Sequence, residues 1–269
     1  MIRIAAPAKI NFFLEITGRC PDGYHTLSIV FQTISLGDEL VFEPAQDLSL
    51  TCSDSTLPTD ERNLVMKAAL RLRQALEESQ GAKIHLEKKV PMGAGLGGGS
   101  SDAAAVLKTL PVLWGRRISA SALKTIAVEL GADVPFFLKG GLCEASGIGE
   151  KLTPLPSLPE TWLVVAYPGF GVATKEAYAR VRLPFPNPRA LDISRLTTDL
   201  FNRFEDLVFP VHPELPRLKQ KLLQAGASAA LMSGSGSAVF GLASSKAHGE
   251  QILTQVQKTY NQAWLVHTL

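Results

Sequence analysis

The sequence predicts an α+β protein of two domains, and three observations carry that prediction. The chain has 269 residues, enough for two ordinary domains. A proline-rich stretch, "LTPLPSLPE" at 152–160, marks a boundary and divides the chain into 1–153 and 154–269. From residue 215 onward the pattern runs helix, strand, "SGSGS" turn, strand, helix, strand, which suits an α+β sandwich of ferredoxin type.

The elements follow in order. Residues 10–16 alternate, with Ile10, Phe12, Leu14 and Ile16 on one face and Asn11, Phe13 and Glu15 on the other. That period of two predicts a half-buried strand with Lys9 and Asn11 on the same side. Pro21-Asp22-Gly23 is turn chemistry and places Tyr24 and His25 just past a loop tip. Residues 29–36 and 39–43 read as two further strands. Residues 63–78 carry Leu64, Ala68, Leu72 and Leu76 at helical spacing, with Asn63 placed to cap the start. "KIHLEKKVP" is again a strand, with Ile84, Leu86 and Lys88 on one face.

Ser100, Ser101 and Asp102 are all good caps for a helix expected to begin near Ala103. A second amphipathic helix over 119–130 is stopped by Gly131, so Asp133 lies just past a helix C-terminus. Pro135 biases Val134 toward an extended conformation. Beyond the boundary come a strand over 162–166, a turn at Pro168-Gly169 and a helix capped by Thr174. The closing elements are expected at 215–225, 229–232, 238–242, 244–259 and 263–266.

Composition excludes several classes of function. The hydrophobic fraction of 46% and charged fraction of 19% are those of a globular chain. A net charge of +2 with scattered lysines and arginines predicts no nucleic-acid partner. No window approaches eighteen uninterrupted apolar residues, so no membrane span is expected. The N-terminal apolar run, interrupted by Asn11 and Glu15, reads as a strand rather than a signal segment. Cys20, Cys52 and Cys143 form no CxxC, and the five histidines are dispersed. Neither a disulfide framework nor a zinc site is expected, and the cytoplasm is the expected compartment.

The densest chemistry lies in "PMGAGLGGGSSDAA", where Gly93, Gly95, Gly97, Gly98 and Gly99 crowd one loop ahead of a helix. A P-loop would need a lysine after the last glycine, and here Ser100 and Ser101 follow. Gly93-x-Gly95-x-x-Gly98 formally meets the dinucleotide pattern, but 113–128 contains no Asp or Glu for a ribose. A glycine-rich loop leading through two serines into a helix N-terminus directs backbone N–H groups, hydroxyls and a helix dipole at one point. An anion is the natural occupant, and a polyphosphate suits it best.

The same stretch resembles the second motif of the GHMP kinases. "APAKINFFLEI" and "LMSGSGSAVFG" (231–241) agree with that family's other two blocks, in order. "DGYHTL" and "LGADVPFFL" narrow the resemblance to the branch acting on a cytidine-diphosphate-linked methylerythritol. The resemblance implies an N-terminal domain of the ribosomal S5 domain 2-like type and a ferredoxin-like C-terminal domain, with ATP and Mg²⁺ as cofactors. It also implies a small-molecule substrate, no nucleic acid or membrane partner, and a monomer or homodimer. In that pattern Asp133 is the base that takes the acceptor proton, and Lys9 its cationic partner.

ATP phosphates are expected along Pro91, Met92, Gly93, Ala94, Gly95, Leu96, Gly97, Gly98, Gly99, Ser100 and Ser101, with Asn63 and Lys88 toward the adenosine. One of the two serines is expected near Mg²⁺, whose protein ligands are otherwise unassigned. Asn11, Tyr24, His25, Tyr178, Gly234 and Ser235 are the expected substrate residues. Competing readings are a GHMP kinase for another small alcohol such as mevalonate or homoserine, a non-catalytic nucleotide or RNA module, and a Rossmann oxidoreductase.

Overall fold

The computed structural model describes residues 1–269. Strands β1 (Ile2–Arg19), β2 (His25–Ala45) and β3 (Leu48–Cys52) come first, then α1 (Leu64–Ala75) and β4 (Gly81–Glu87). Helices α2 (Gly98–Leu113), α3 (Ala120–Leu130) and α4 (Val134–Lys139) follow, then β5 (Leu142–Ser146), β6 (Lys151–Pro154) and β7 (Trp162–Ala166). Next are α5 (Thr174–Ala179), β8 (Phe201–Asn202), α6 (Phe204–Val208) and α7 (Glu214–Gln224). The chain closes with β9 (Ala230–Met232), β10 (Val239–Ala243), α8 (Lys246–Gln257) and β11 (Ala263–His267).

These elements form two compact units that interleave along the sequence. The first holds Met1–Ala8, Leu36–Val90 and Gly97–Gly140; the second holds Lys9–Ser35, Pro91–Leu96 and Gly141–Leu269. The long strands β1 and β2 therefore each contribute one part to either unit.

In the first unit β4 pairs antiparallel with the second part of β2 and parallel with β3, a strand the sequence pattern does not announce. Helices α1 to α4 pack on one another, and Phe42, Leu72, Ile84 and Leu86 are among the fully buried side chains. The expected break near residue 37 is absent, since β2 runs straight through Gly37. A Cβ there would lie 2.8 Å from the Ala6 carbonyl oxygen and 2.9 Å from Pro7 Cα. That glycine permits close approach to β1 rather than a turn. Asn63 caps α1 as expected, its Oδ1 accepting from Val65 N–H at 2.9 Å, and Ser119 caps α3. Val134 departs from the extended form anticipated for it and opens α4. Pro135 falls in that helix's first turn, where its missing N–H and preset φ do no harm.

In the second unit β7, β9, β10 and β11 form an antiparallel sheet of order β11-β7-β10-β9, covered by α7 and α8. Counted along the chain, that order is four-one-three-two, the split arrangement of the ferredoxin-like fold. Its interior includes an edge-to-face contact between Phe12 and Phe240. β8 adds to β1 in parallel through Phe13–Phe201 and Leu14–Asn202, while β5 pairs antiparallel with the first part of β2. β1 is not half-buried as its alternation suggested, for every residue from 8 to 16 is buried. Both faces can be covered because the charged positions have partners: the Lys9 ammonium donates to Asn11 Oδ1, and Glu15 meets Arg203.

Candidate active site

In the second unit the glycine loop is tied down through its carbonyls. Gly93 O accepts from Val172 N–H at 3.0 Å, Ala94 O from Ala238 N–H at 3.0 Å, and Leu96 O from Lys9 N–H at 2.9 Å. Gly95 O accepts from Lys9 Nζ at 2.8 Å and from Ser233 Oγ at 2.9 Å. Across a trans peptide the C=O and the next N–H point in opposite directions. Each N–H of Ala94, Gly95, Leu96 and Gly97 therefore points away from the partner that holds the carbonyl of its own peptide, and such backbone groups are what an anion cradle is built from. Glycine is required sterically at 95, where a Cβ would fall 2.0 Å from the Ser233 carbonyl oxygen, on a backbone with φ of +74°.

Lys9, 3% exposed, donates from the same ammonium to Asn11 Oδ1 at 2.9 Å, so the two side chains stand side by side as the alternation predicts. Asn11 Nδ2 is buried with no hydrogen-bond partner, a donor held at the strand that carries Lys9. The "SGSGS" turn between β9 and β10 closes on this strand and loop. A Cβ on Gly234 would lie 3.2 Å from Gly95 O and 3.3 Å from Lys9 Nζ. Ser235 Oγ meets Thr174 Oγ1 at 3.2 Å. Thr174 is thus the first residue of α5, with Ala173 in the capping position expected for Thr174.

The first unit carries the continuation of the loop. α2 starts at Gly98, not near Ala103, and its cap is Gly97 in the left-handed region at φ of +69°, with no side-chain cap bond. Ser100 and Ser101 are consequently first-turn residues and Asp102 follows them, so none of the three is the cap. The opening N–H groups of a helix have no intrahelical acceptor, so a cap without a side chain leaves them for a ligand. Asn63 is engaged as a cap and also donates from Nδ2 to Pro58 O at 2.8 Å. Lys88 has its ammonium against Asp38 and 3.5 Å from Asp102 Oδ2. A Cβ at Gly98 would come within 2.9 Å of that ammonium. Asp133, between α3 and α4, makes no capping bond to α4, so its carboxylate is not used to hold that helix.

The rings expected at the nucleoside end divide. Tyr178 stacks on His25, centroids 5.2 Å apart and planes at 19°, while Tyr24 is 62% exposed and turned to solvent. Burial, and then the nearby Arg19 charge, hold the His25 imidazole below its ordinary pKa.

Residues 63–141 match the GHMP kinases N terminal domain family, and residues 189–262 match the GHMP kinases C terminal family. The chain belongs to the GHMP kinase family. The two matches fall on either side of the proline-rich segment. A 4-diphosphocytidyl-2-C-methyl-D-erythritol kinase of Thermosynechococcus vestitus is 41% identical over 96% of this GHMP kinase and 92% of the relative. One of Symbiobacterium thermophilum is 40% identical over 100% of both chains. A crystal structure of a 4-(cytidine 5'-diphospho)-2C-methyl-D-erythritol kinase superposes with a TM-score of 0.87 at 38% identity, covering 99% of each chain. A homoserine kinase from Cytophaga hutchinsonii (22% identity, TM-score 0.70, covering 100% of this chain and 94% of that one) shares the fold. So does the Methanococcus jannaschii mevalonate kinase (14%, 0.75, covering 100% and 98%).

Two buried carboxylates of this GHMP kinase, Asp38 and Asp102, stand beside Lys88 and are not among the expected site residues. Asp38, 1% exposed, accepts from Lys89 N–H at 2.6 Å and Val90 N–H at 2.8 Å, fixing the strand exit that leads into the loop. Asp102 Oδ1 is buried without a hydrogen-bond partner. Burial pushes its carboxyl well above the usual range against the opposing pull of Lys88. Nothing local marks Asp38, which lies fifty positions from Lys88 in the chain. Asp102 was visible only as a possible cap.

Proposed function

We propose that this kinase transfers the γ-phosphoryl group of ATP to the 2-hydroxyl of 4-diphosphocytidyl-2-C-methyl-D-erythritol, a step of the non-mevalonate route to isoprenoid precursors. The observation that carries the reading is full-length identity of 41% and 40% to relatives bearing that activity in their names. Identity to the homoserine and mevalonate kinase structures is only 22% and 14%. Those alcohols are the alternative acceptors.

In the reaction the hydroxyl oxygen bonds the γ-phosphorus, the bond to the β–γ bridging oxygen breaks, and ADP departs. Such a transition state is loose, so the protein chiefly positions groups and balances charge. Asp133 would accept the hydroxyl proton, and Lys9 would hold that carboxylate ionised and offset charge at the reacting oxygen. Asn11 Nδ2, the buried donor lacking a partner, would serve a substrate oxygen. The glycine loop from Pro91 through Ser101 would border the ATP phosphates, with its N–H groups between Gly93 and Ser100 cradling them. Asn63 and Lys88 would border the adenosine as wall residues, since their polar groups already have partners. Tyr24, His25 and Tyr178 would receive the cytosine, and Gly234 and Ser235 would close the substrate side.

No three His, Cys, Asp or Glu side chains cluster as a metal cage. Mg²⁺ takes oxygen ligands, commonly one or two from the protein, with phosphate and water completing its shell. The hydroxyl of Ser100 or Ser101, in the first turn of α2, fits that chemistry and would hold the ion. Bound there, the ion neutralises charge on the phosphates. No helix is long and apolar enough to cross a membrane, and the cytoplasm is the proposed compartment.

A coupled assay for ADP release tests the reading. Turnover is expected with the cytidine substrate. Asp133→Ala should lower kcat by about 10²- to 10⁴-fold while ATP still raises the melting temperature. Activity on mevalonate or homoserine with none on the cytidine compound would overturn the substrate. An unchanged rate in Asp133→Ala would remove the base.

A further inference from the structure

Four consecutive residues, Asn202-Arg203-Phe204-Glu205, touch three elements that the second unit contributes to the site: the strand that carries Lys9 and Asn11, the turn after β9 and the Tyr178 ring. Asn202 is 2% exposed and donates from Nδ2 to Met232 O at 2.7 Å and to Gly234 O at 2.8 Å. Its Oδ1 accepts from Phe204 N–H at 3.0 Å. Glu205 accepts from Met232 N–H at 2.9 Å and pairs with Lys219. The backbone N–H of Arg203 donates to Leu14 O at 2.8 Å. Its guanidinium forks onto Glu15 at 2.8 and 2.6 Å, on the strand that carries Lys9 and Asn11. Phe204, fully buried, sets its ring against that of Tyr178 edge to face, 4.9 Å between centroids, and Tyr178 in turn stacks on His25.

The chemistry of position 202 is specific. Bridging two carbonyls from one atom while accepting a third bond takes a nitrogen with two donors and an oxygen at the same short reach, which only a carboxamide supplies. Asp at this position would set carboxylate oxygens against two carbonyl oxygens. Gly234, held by that bridge, is the residue packed against Gly95 O and Lys9 Nζ.

We infer that Asn202-Arg203-Phe204-Glu205 is a positioning brace: Asn202 registers the 233–237 turn against Lys9 and the glycine loop, and Phe204 sets the Tyr178–His25 ring pair. The inference rests on the reading of the site proposed above. None of the four side chains is assigned contact with substrate; they act through Gly234 and Tyr178.

The test compares full-length Asn202→Asp and Phe204→Leu with the parent chain, using thermal unfolding, steady-state kinetics with ATP and the cytidine substrate, and the imidazole resonances of His25. Misplacing the turn should lower kcat of Asn202→Asp by about 10- to 100-fold, with the ATP-induced rise in melting temperature kept. Phe204→Leu should raise KM for the cytidine substrate by about 2- to 10-fold, the worth of one aromatic pair, and leave KM for ATP unchanged. It should also displace the His25 resonances without any substrate present. Equal losses in every parameter, tracking stability alone, would overturn the inference, as would kinetics within twofold of the parent in both variants. Should Asn202→Asp not fold, Phe204→Leu decides, because it leaves every polar contact of the brace in place. A parent chain inactive on the cytidine compound would count against the proposed substrate only. In that case an unmoved His25 resonance in Phe204→Leu still overturns the brace.

Discussion

Two glycine–serine turns serve this site, and they use their glycines differently. The loop at 93–101 uses glycine at 95 to admit the Ser233 carbonyl, and it leaves its own backbone uncovered. Its carbonyls are drawn onto Val172, Ala238, Lys9 and Ser233, so its N–H groups face the other way, and a sixteen-residue helix follows directly. The turn at 233–237 uses Gly234 for a left-handed backbone, at φ of +56°, and the Asn202 carboxamide holds it from outside through Gly234 O and the preceding Met232 O. The first turn would therefore present groups to the proposed phosphates, and the second helps to fix the first in place through Ser233. An anion cradle needs both parts, because free N–H groups are useful only if the peptide planes are prevented from rotating.

Alanine substitution in each turn tests that contrast. Gly95→Ala meets both a left-handed backbone and a carbonyl oxygen 2.0 Å from the new methyl. A loss of about 2–5 kcal/mol is expected in denaturant unfolding, together with loss of the ATP-induced stabilisation. Gly234→Ala meets the same backbone restriction but contacts of 3.2 Å or more, and should lose only about 1–2 kcal/mol. The reverse order would break the comparison.

The brace can be probed through pH. Burial tends to raise the Glu15 pKa, but the Arg203 hydrogen bonds, with those from Arg189 and Ile16 N–H, outweigh it and hold the carboxyl below its ordinary 4.5. A carboxyl depressed in the folded state contributes stability that is fully present above the unfolded value. That contribution is lost as pH falls through the lower folded value. Glu15→Gln should therefore unfold more easily by about 1.5–3 kcal/mol at pH 7. The deficit relative to the parent should narrow as pH drops below 4.5. A deficit that stays constant from pH 7 to pH 3 would separate Glu15 from the brace.

The smallest effect belongs to the local control. Asn63 caps α1 through Val65 N–H within three residues of chain, so Asn63→Ala should lower stability by about 1 kcal/mol and Asn63→Gly by only a few tenths. Thermal unfolding reads both, and a larger loss would mean that the cap is coupled to the site.

Much of the molecule was legible where the interactions are short in sequence. The Asn63 cap, the helix read from 119, the pairing of Lys9 with Asn11 on one strand face and the ferredoxin-like alternation all follow from short-range spacing. The start of α2 was misplaced because a Ser or Asp cap was expected, whereas Gly97 opens the helix without one. A missing side-chain cap is poor helix chemistry but suits a site whose first N–H groups serve a ligand. Asp38, Asn202 and Arg203 were invisible for a different reason: Arg203 meets Glu15 across 188 positions, and Asn202 meets Met232 across 30.

The sequence by itself determined most of the longer elements, the expectation of an anion at the glycine loop and the likeness to the GHMP kinases. Those rest on periodicity, capping and motif order, which are local properties of a chain. Only the tertiary structure decided which way each peptide of that loop faces, which charges could be buried, and which remote carboxamide holds the second turn. Hydrogen-bond direction and desolvation depend on partners that the fold brings together, and no local pattern specifies them.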